Sequence, residues 1–220
     1  MPRIDSLATS LPAHRCDQSD VRNEMARVCR GDRSMERLLP VFDRIGVDTR
    51  YFVRPPEWYS EGQPFETRNA VYATSALELS EKAARACLDR SGTSPDTIDH
   101  IYFVTTTGLM TPSLDARLAS RLGLRPDVRR LPLFGLGCAA GAGALVRAVD
   151  TLRAYPTHRA LVISVELCSL VFSPVARTAT DLVGAALFGD GAAAVVVSGD
   201  ETGGEGPAIR ATRTHLFKEA

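Results

Sequence analysis

The residue types with the most chemical potential in this chain are its five cysteines, and their surroundings separate them. Cys138 lies in Leu133-Phe-Gly-Leu-Gly-Cys-Ala-Ala-Gly-Ala-Gly-Ala-Leu145, where an apolar strand-like segment runs through glycines into a helix-like segment of small residues. Gly137 permits a tight turn immediately before the thiol. Each glycine in the first turn of that helix costs about 1 kcal/mol relative to alanine. Something other than propensity therefore favours them: close packing against neighbouring backbone, or backbone N–H groups left open to a ligand. A thiol at a helix N-terminus meets the positive end of the macrodipole, which favours the thiolate. Free N–H groups there can hold the oxygen of an acyl group. This is the layout of a nucleophilic cysteine. A lone cysteine is more often a small buried residue; the glycine-rich turn argues the other way.

The remaining candidates are weaker. Cys87 falls on the apolar stripe of a long helix, and Cys168 follows a strand, where it could line a cavity although packing is favoured. Cys16 and Cys29 have no partner at a metal-like spacing, so all four read as packing residues and no metal site is expected. The four histidines, His14, His100, His158 and His215, sit in no context that marks a base, and His100 and His158 are expected at the surface just before strands. The chain has only two lysines among its 26 basic residues. Arg37, Arg44, Arg50 and Arg54 cluster around one predicted helix end and the loop after it. Guanidinium forks suit phosphate groups, although composition alone favours a solvated helix face.

The elements that must position these residues follow from periodicity. Asp20–Arg30 and Ser34–Ile45 carry apolar residues at helical spacing, closed by Gly31 and Gly46. Tyr51–Gln63 reads as a loop. Thr67–Arg90 is the clearest helix, with Val71, Ser75, Leu79, Ala83, Ala86 and Cys87 on one stripe, Thr67 as cap and Gly92 as stop. A shorter helix spans Leu114–Leu122. Three short β-branched runs beginning at His100, Ala160 and Ala192 are apolar on both faces, which suits strands covered by helices on both sides. Helix and strand alternate, so the fold class is α/β. The run Ala208–Phe217 reads as one further strand, which suggests a sheet that continues, and so the first half of a larger enzyme or a truncated gene product; the alternative is a complete domain with a C-terminal edge strand.

Composition bounds the remainder. The chain is 45% apolar and 24% charged, ordinary for a globular domain. Basic and acidic residues number 26 each, leaving no global pull toward nucleic acid or an anionic membrane. No apolar run approaches the ~18 residues of a membrane span. The first residues lack the layout of a secretory signal. An odd number of cysteines without a CxxC pair suits reduced thiols in the cytoplasm.

Four motifs occur in order. They are Val104-Thr-Thr-Thr-Gly-Leu-Met-Thr-Pro112, Leu122-Gly-Leu-Arg-Pro126, Phe134-Gly-Leu-Gly-Cys-Ala-Ala-Gly141 and Asp181-Leu-Val-Gly-Ala-Ala-Leu-Phe-Gly-Asp-Gly-Ala-Ala-Ala194. Together they resemble the N-terminal half of a type III polyketide synthase, the chalcone and stilbene synthase family, on the thiolase fold. The Thr-Gly-Leu-Met-Thr-Pro-Ser-Leu-Asp-Ala-Arg and Val-Glu-Leu-Cys-Ser-Leu stretches resemble bacterial members that make alkylresorcinols or alkylpyrones more than plant chalcone synthases. The resemblance implies a mixed sheet covered by helices, with a buried helix starting at the nucleophile, and makes residues 1–220 an N-terminal thiolase-like domain. It implies that Cys138 takes an acyl starter from coenzyme A and that Phe188 stands at the cavity mouth, where it assists malonyl decarboxylation. Thr106, Thr107, Thr111 and Val171 would line the elongation cavity. Thr111 would also reach a partner subunit, hence a homodimer. Arg37 and Arg44 would lie near coenzyme A. Acyl-CoA and malonyl-CoA are implied as substrates, with no bound cofactor. The family's catalytic histidine and asparagine belong to its C-terminal half and match nothing here, so residues 1–220 alone are expected to be inactive or nearly so. The rival readings are another condensing enzyme of the same fold, of ketoacyl synthase III or hydroxymethylglutaryl-CoA synthase type, and a non-catalytic fragment that binds acyl-CoA or dimerises.

Overall fold

A computed structural model describes residues 1–172 and 178–216. Its chain runs β1 (Arg3–Ser10), β2 (His14–Asp17), α1 (Gln18–Val28), α2 (Arg33–Glu36), α3 (Val41–Arg44), β3 (Thr49–Phe52), α4 (Pro56–Ser60) and α5 (Phe65–Ser91). There follow β4 (His100–Val104), α6 (Leu114–Leu122), β5 (Arg129–Leu133), α7 (Ala140–Ala154), β6 (Arg159–Leu167), α8 (Ala179–Leu187) and β7 (Asp190–Ser198).

Five strands form one mixed sheet in the order β1-β7-β6-β4-β5. β4 is parallel to both β5 and β6, while β7 is antiparallel to β6 and to β1. The apolar runs are apolar on both faces because helices cover both. Ile101 and Phe103 of β4, with Leu161, Ile163 and Val165 of β6, belong to the large core beneath α5. Their alternates Tyr102, Val104, Ala160 and Val162 pack with Ala140, Ala144, Ala148 and Leu152 of α7. This is period-two alternation with neither face left to water.

α5 buries a broader stripe than the spacing predicts: Tyr72, Ala76, Leu77, Ala84 and Leu88 join Val71, Leu79, Ala83 and Cys87, while Ser75 and Ala86 are only partly buried. The helix begins directly after Pro64, so Thr67 lies within its first turn rather than capping it. Gly92 closes it in the left-handed region, as expected.

Elsewhere the structure corrects the sequence reading. The predicted helix over Ser34–Ile45 is two single turns, because Pro40 brings no N–H to continue the ladder. Tyr51–Gln63 is not all loop. It holds the end of β3, whose partner β2 lies far back in the chain, and α4, which starts on Pro56. The run from Ala208 makes only an isolated bridge to Arg3 rather than a strand, and Phe217 lies outside the described residues. No helix among the described residues is long and apolar enough to cross a membrane.

α7 is buried on the face carrying Ala140, Ala144 and Ala148. On its other side, a Cβ at Gly141 would meet nothing within 4 Å, whereas one at Gly143 would stand 3.3 Å from Leu136 Cδ1. Close packing thus accounts for Gly143 but not for Gly141 within this chain.

Candidate active site

The parallel strands β4 and β6 end side by side, and ligands of α/β sheets gather at such carboxyl ends. At β4 the chain leaves through Thr105-Thr106-Thr107-Gly108. Gly108 is required by space: a Cβ there would fall 2.1 Å from the Tyr72 ring. The Tyr72 hydroxyl donates to Thr105 Oγ1 at 2.9 Å, which fixes the turn against α5. Burial pushes the Tyr72 phenol up to about 12, so it remains a donor.

β6 ends in Glu166-Leu167 and a single 3-10 turn over Cys168–Leu170. Glu166 reaches across to β4's exit, where its carboxylate accepts from Thr106 N and Thr106 Oγ1, both at 3.0 Å. Thr107 Oγ1 in turn accepts from Leu167 N at 2.8 Å. Both threonines are thereby held with their side chains at the junction of the two strands.

β5 leads to the thiol. Gly135 at φ +84° and Gly137 at φ +54° are both left-handed, a conformation that favours glycine, and they turn the chain into α7. Cys138 sits in the 3-10 turn Gly137–Ala139 that precedes the helix, and it is exposed. The expected position at a helix start is therefore observed.

Cys138 opens onto a cavity of about 440 Å³. Five of the sequence-derived candidates meet there: Cys138, Thr106, Thr107, Val171 and Phe188. Val171 and Phe188 stand open to it, 58% and 45% exposed. Phe188 is the residue after α8, and its backbone has already turned to an extended conformation. Three candidates lie outside this wall. Thr111 is exposed on the loop before α6. Arg37 and Arg44 are exposed around α2 and α3, and their guanidinium groups have no hydrogen-bond or ion-pair partner among the described residues.

The cavity also has residues that sequence reasoning missed. One wall is α1, through Val21, Glu24, Met25 and Val28. Cys168, for which lining a cavity is the less favoured of two sequence readings, lines this one. Burial, then the negative charges of Asp190 and Glu166, push its thiol up to about 12, so it stays protonated where Cys138 is open to solvent. Asp190 lies beneath the wall, fully inside. It accepts from Ser169 N at 2.8 Å, Ser169 Oγ at 2.6 Å and Val53 N at 2.9 Å, and Ser169 Oγ lies 2.7 Å from the Tyr59 hydroxyl. Burial raises the Asp190 carboxyl to about 6 against the opposing effect of those bonds. Glu166 was legible as the one charge in the run Ala160–Leu167. α8 was legible from Thr178 and Asp181, which form a reciprocal capping box.

Two further expectations change. His100 is not at the surface but 4% exposed, and its Nε2 lies 2.9 Å from His158 Nδ1. Arg50, grouped by sequence with possible phosphate ligands, is buried and bonded to backbone carbonyls of α8. Among the described residues, no group of three or more His, Cys, Asp or Glu could hold a metal ion.

Comparison with known proteins agrees with this geometry. Residues 3–201 match the family model of chalcone and stilbene synthases, N-terminal domain. A 1,3,6,8-tetrahydroxynaphthalene synthase from Streptomyces peucetius is 42% identical over 98% of this chain and 58% of its own length. Phloroglucinol synthase from Pseudomonas fluorescens is 29% identical over 95% of this chain and 60% of its own. The crystal structure of the tetrahydroxynaphthalene synthase from Streptomyces coelicolor, a bacterial type III polyketide synthase, superimposes with a TM-score of 0.93 at 33% identity, covering 99% of this chain and 62% of that one. The chain thus spans less than two thirds of the relatives it matches, and within that span a turn that presents a thiol to a cavity at the ends of β4 and β6 stands on the fold of these synthases. The chain belongs to the chalcone and stilbene synthase family and contains its N-terminal domain.

Proposed function

We propose that this chain is the acyl-accepting N-terminal domain of a type III polyketide synthase. The observation that carries the reading is the exposed Cys138 thiol at the start of α7, open to a cavity whose wall is mostly carbon. In the proposed step the Cys138 thiolate attacks the thioester carbonyl of an acyl-CoA. A new C–S bond forms to the enzyme, the old one breaks, and coenzyme A leaves as its thiolate. Thr106, Thr107 and Val171 border the space the acyl group would fill, and the Phe188 ring closes part of its mouth. α1 lies across the cavity and gives an apolar chain a second wall.

Malonyl-CoA is proposed as the extender, with decarboxylation and condensation belonging to the whole synthase. Arg37 and Arg44 are proposed to meet the phosphates of coenzyme A, since both guanidinium groups are exposed and uncommitted among the described residues. Thr111, exposed beyond the cavity, is proposed to reach a second subunit of a homodimer. The five free thiols fit a reducing cytoplasm.

Incubating the chain with a short acyl-CoA and weighing the intact protein tests the reading. One acyl group is expected on the parent chain and none on Cys138→Ala. An adduct that survives the substitution would refute the assignment.

A further inference from the structure

Arg50 is 5% exposed, yet no carboxylate lies within ion-pair distance of it among the described residues. Its two terminal nitrogens are spent on neutral oxygens, while Nε has no hydrogen-bond partner among the described residues. Nη1 donates to Ala185 O at 2.5 Å and to Phe188 O at 3.0 Å, and Nη2 donates to Ala186 O and to Gln18 Oε1. Gln18 Nε2 adds a second bond to Ala186 O at 3.0 Å. These carbonyls are what the C-terminus of α8 leaves open: Gly184 O is taken by Phe188 N at 2.9 Å, and the following ones have no donor within the helix. A helix C-terminus carries partial negative charge, which is what a buried cation without a counter-ion requires. Gly189 follows the cap but does not take the left-handed conformation that commonly closes a helix, and the arginine fork takes up the carbonyls instead.

The hold extends past the helix. A Cβ at Gly189 would stand 3.3 Å from Arg50 Cβ and 3.5 Å from Tyr51 O, so this turn lies flat on β3. One residue later Asp190 takes Val53 N. The segment that carries Phe188 is therefore laid along β3 and the residue after it, from Arg50 to Val53, and the Phe188 ring lines the Cys138 cavity.

We propose that Arg50 is a positioning residue for Phe188: its planar fork, seated on the last carbonyls of α8, sets where the phenyl ring stands beside Cys138. The proposal rests on the reading of that cavity as the acyl site. Lysine has the charge without the fork and cannot bond the same four oxygens.

Fluorine NMR of the full 220-residue chain, with 4-fluorophenylalanine at position 188 or, as reference, at the buried Phe103, reads the position directly. Arg50→Lys is expected to shift or split the Phe188 resonance and leave that of Phe103 in place. A Phe188 signal that does not move, or equal changes at both positions, overturns the proposal. Should Arg50→Lys not fold, Gln18→Glu sets a carboxylate beside the fork, draws it from the carbonyls, and must give the same local change. In acyl loading from a saturating short acyl-CoA, misplacement of the ring is expected to cost roughly tenfold in rate. The half-saturating concentration should be little altered, whereas a lost phosphate contact would raise it. In a Phe188→Ala background the cost of Arg50→Lys should fall below about twofold; an undiminished cost overturns the proposal. A chain that never loads an acyl group contradicts the acyl-site reading while the fluorine comparison still stands, so the two claims fail separately.

Discussion

The two ends of the β4–β6 strand pair carry polar clusters of opposite character. At the amino ends, His100 and His158 bond each other, Tyr155 stacks on His158 with ring centroids 4.8 Å apart, and Arg129 lies over Tyr155. Those groups are turned on one another. At the carboxyl ends Glu166, Ser169 and Asp190 are also satisfied, but they are arranged around a space, and an open thiol faces it. The difference teaches where to look for function: bonded polar groups occur at both ends, and the carboxyl end combines them with a cavity and a nucleophile.

The comparison can be broken most forcefully at Asp190. Asp190→Ala leaves the N–H groups of Val53 and Ser169 buried without an acceptor, and is expected to cost roughly 3 kcal/mol or more in urea unfolding. A loss under about 1 kcal/mol would mean that water replaces the carboxylate and that the wall is not built on it.

Protonation separates the two ends next. An unfolded aspartate titrates near ~3.9, and Asp190 in the fold titrates at about 6. Between those values the folded protein keeps a proton that the unfolded chain releases, so this end makes stability fall as pH rises. His100 is lowered to about 4, first by burial and then by the charges of His158 and Arg129. An unfolded histidine titrates near ~6.5, so here the unfolded chain takes up the proton, and stability falls as pH drops through nearly the same window. Urea unfolding from pH 4 to 7 should therefore tilt in opposite directions for the two variants. His100→Gln should leave stability declining more steeply with rising pH, and Asp190→Asn should leave it rising. Identical profiles would erase the contrast.

Smaller changes sharpen the cavity side. Val28→Phe on the α1 wall should slow loading of a long straight-chain acyl-CoA roughly tenfold more than that of a short one, the order expected from lost pocket space. Equal effects on both would show that the chain does not run along α1. Thr106→Val removes the hydroxyl bond to Glu166 and should cost about 1 kcal/mol in stability. No measurable loss would show that the backbone bond alone holds the turn.

Much of this was legible in the residues, and what was not has physical causes. The three central strands and α6 announce themselves by short β-branched runs and by a helical stripe before Gly123. The Cys138 turn was legible because both glycines before the thiol are needed for their backbone angles. β1 was not, because an irregularity between Ile4 and Ser6 breaks its alternation, and β2 and β3 were not, because four-residue strands carry no period to read. Arg50 illustrates the limit for the site. Its neighbours in sequence are exposed arginines, and only the fold shows that it alone turns inward to α8. Cys168 shows the same limit from the other side, since its neighbours look like core while the 3-10 turn brings it to the cavity.

Two thiols thus share one cavity, and the account assigns the chemistry to one of them. Peptide mapping after incubation with an acyl-CoA decides between them directly. The acyl group is expected on the peptide that contains Cys138 and absent from the one that contains Cys168. An acyl group on Cys168, or spread over both, would contradict the claim that the thiol at the start of α7 is the nucleophile.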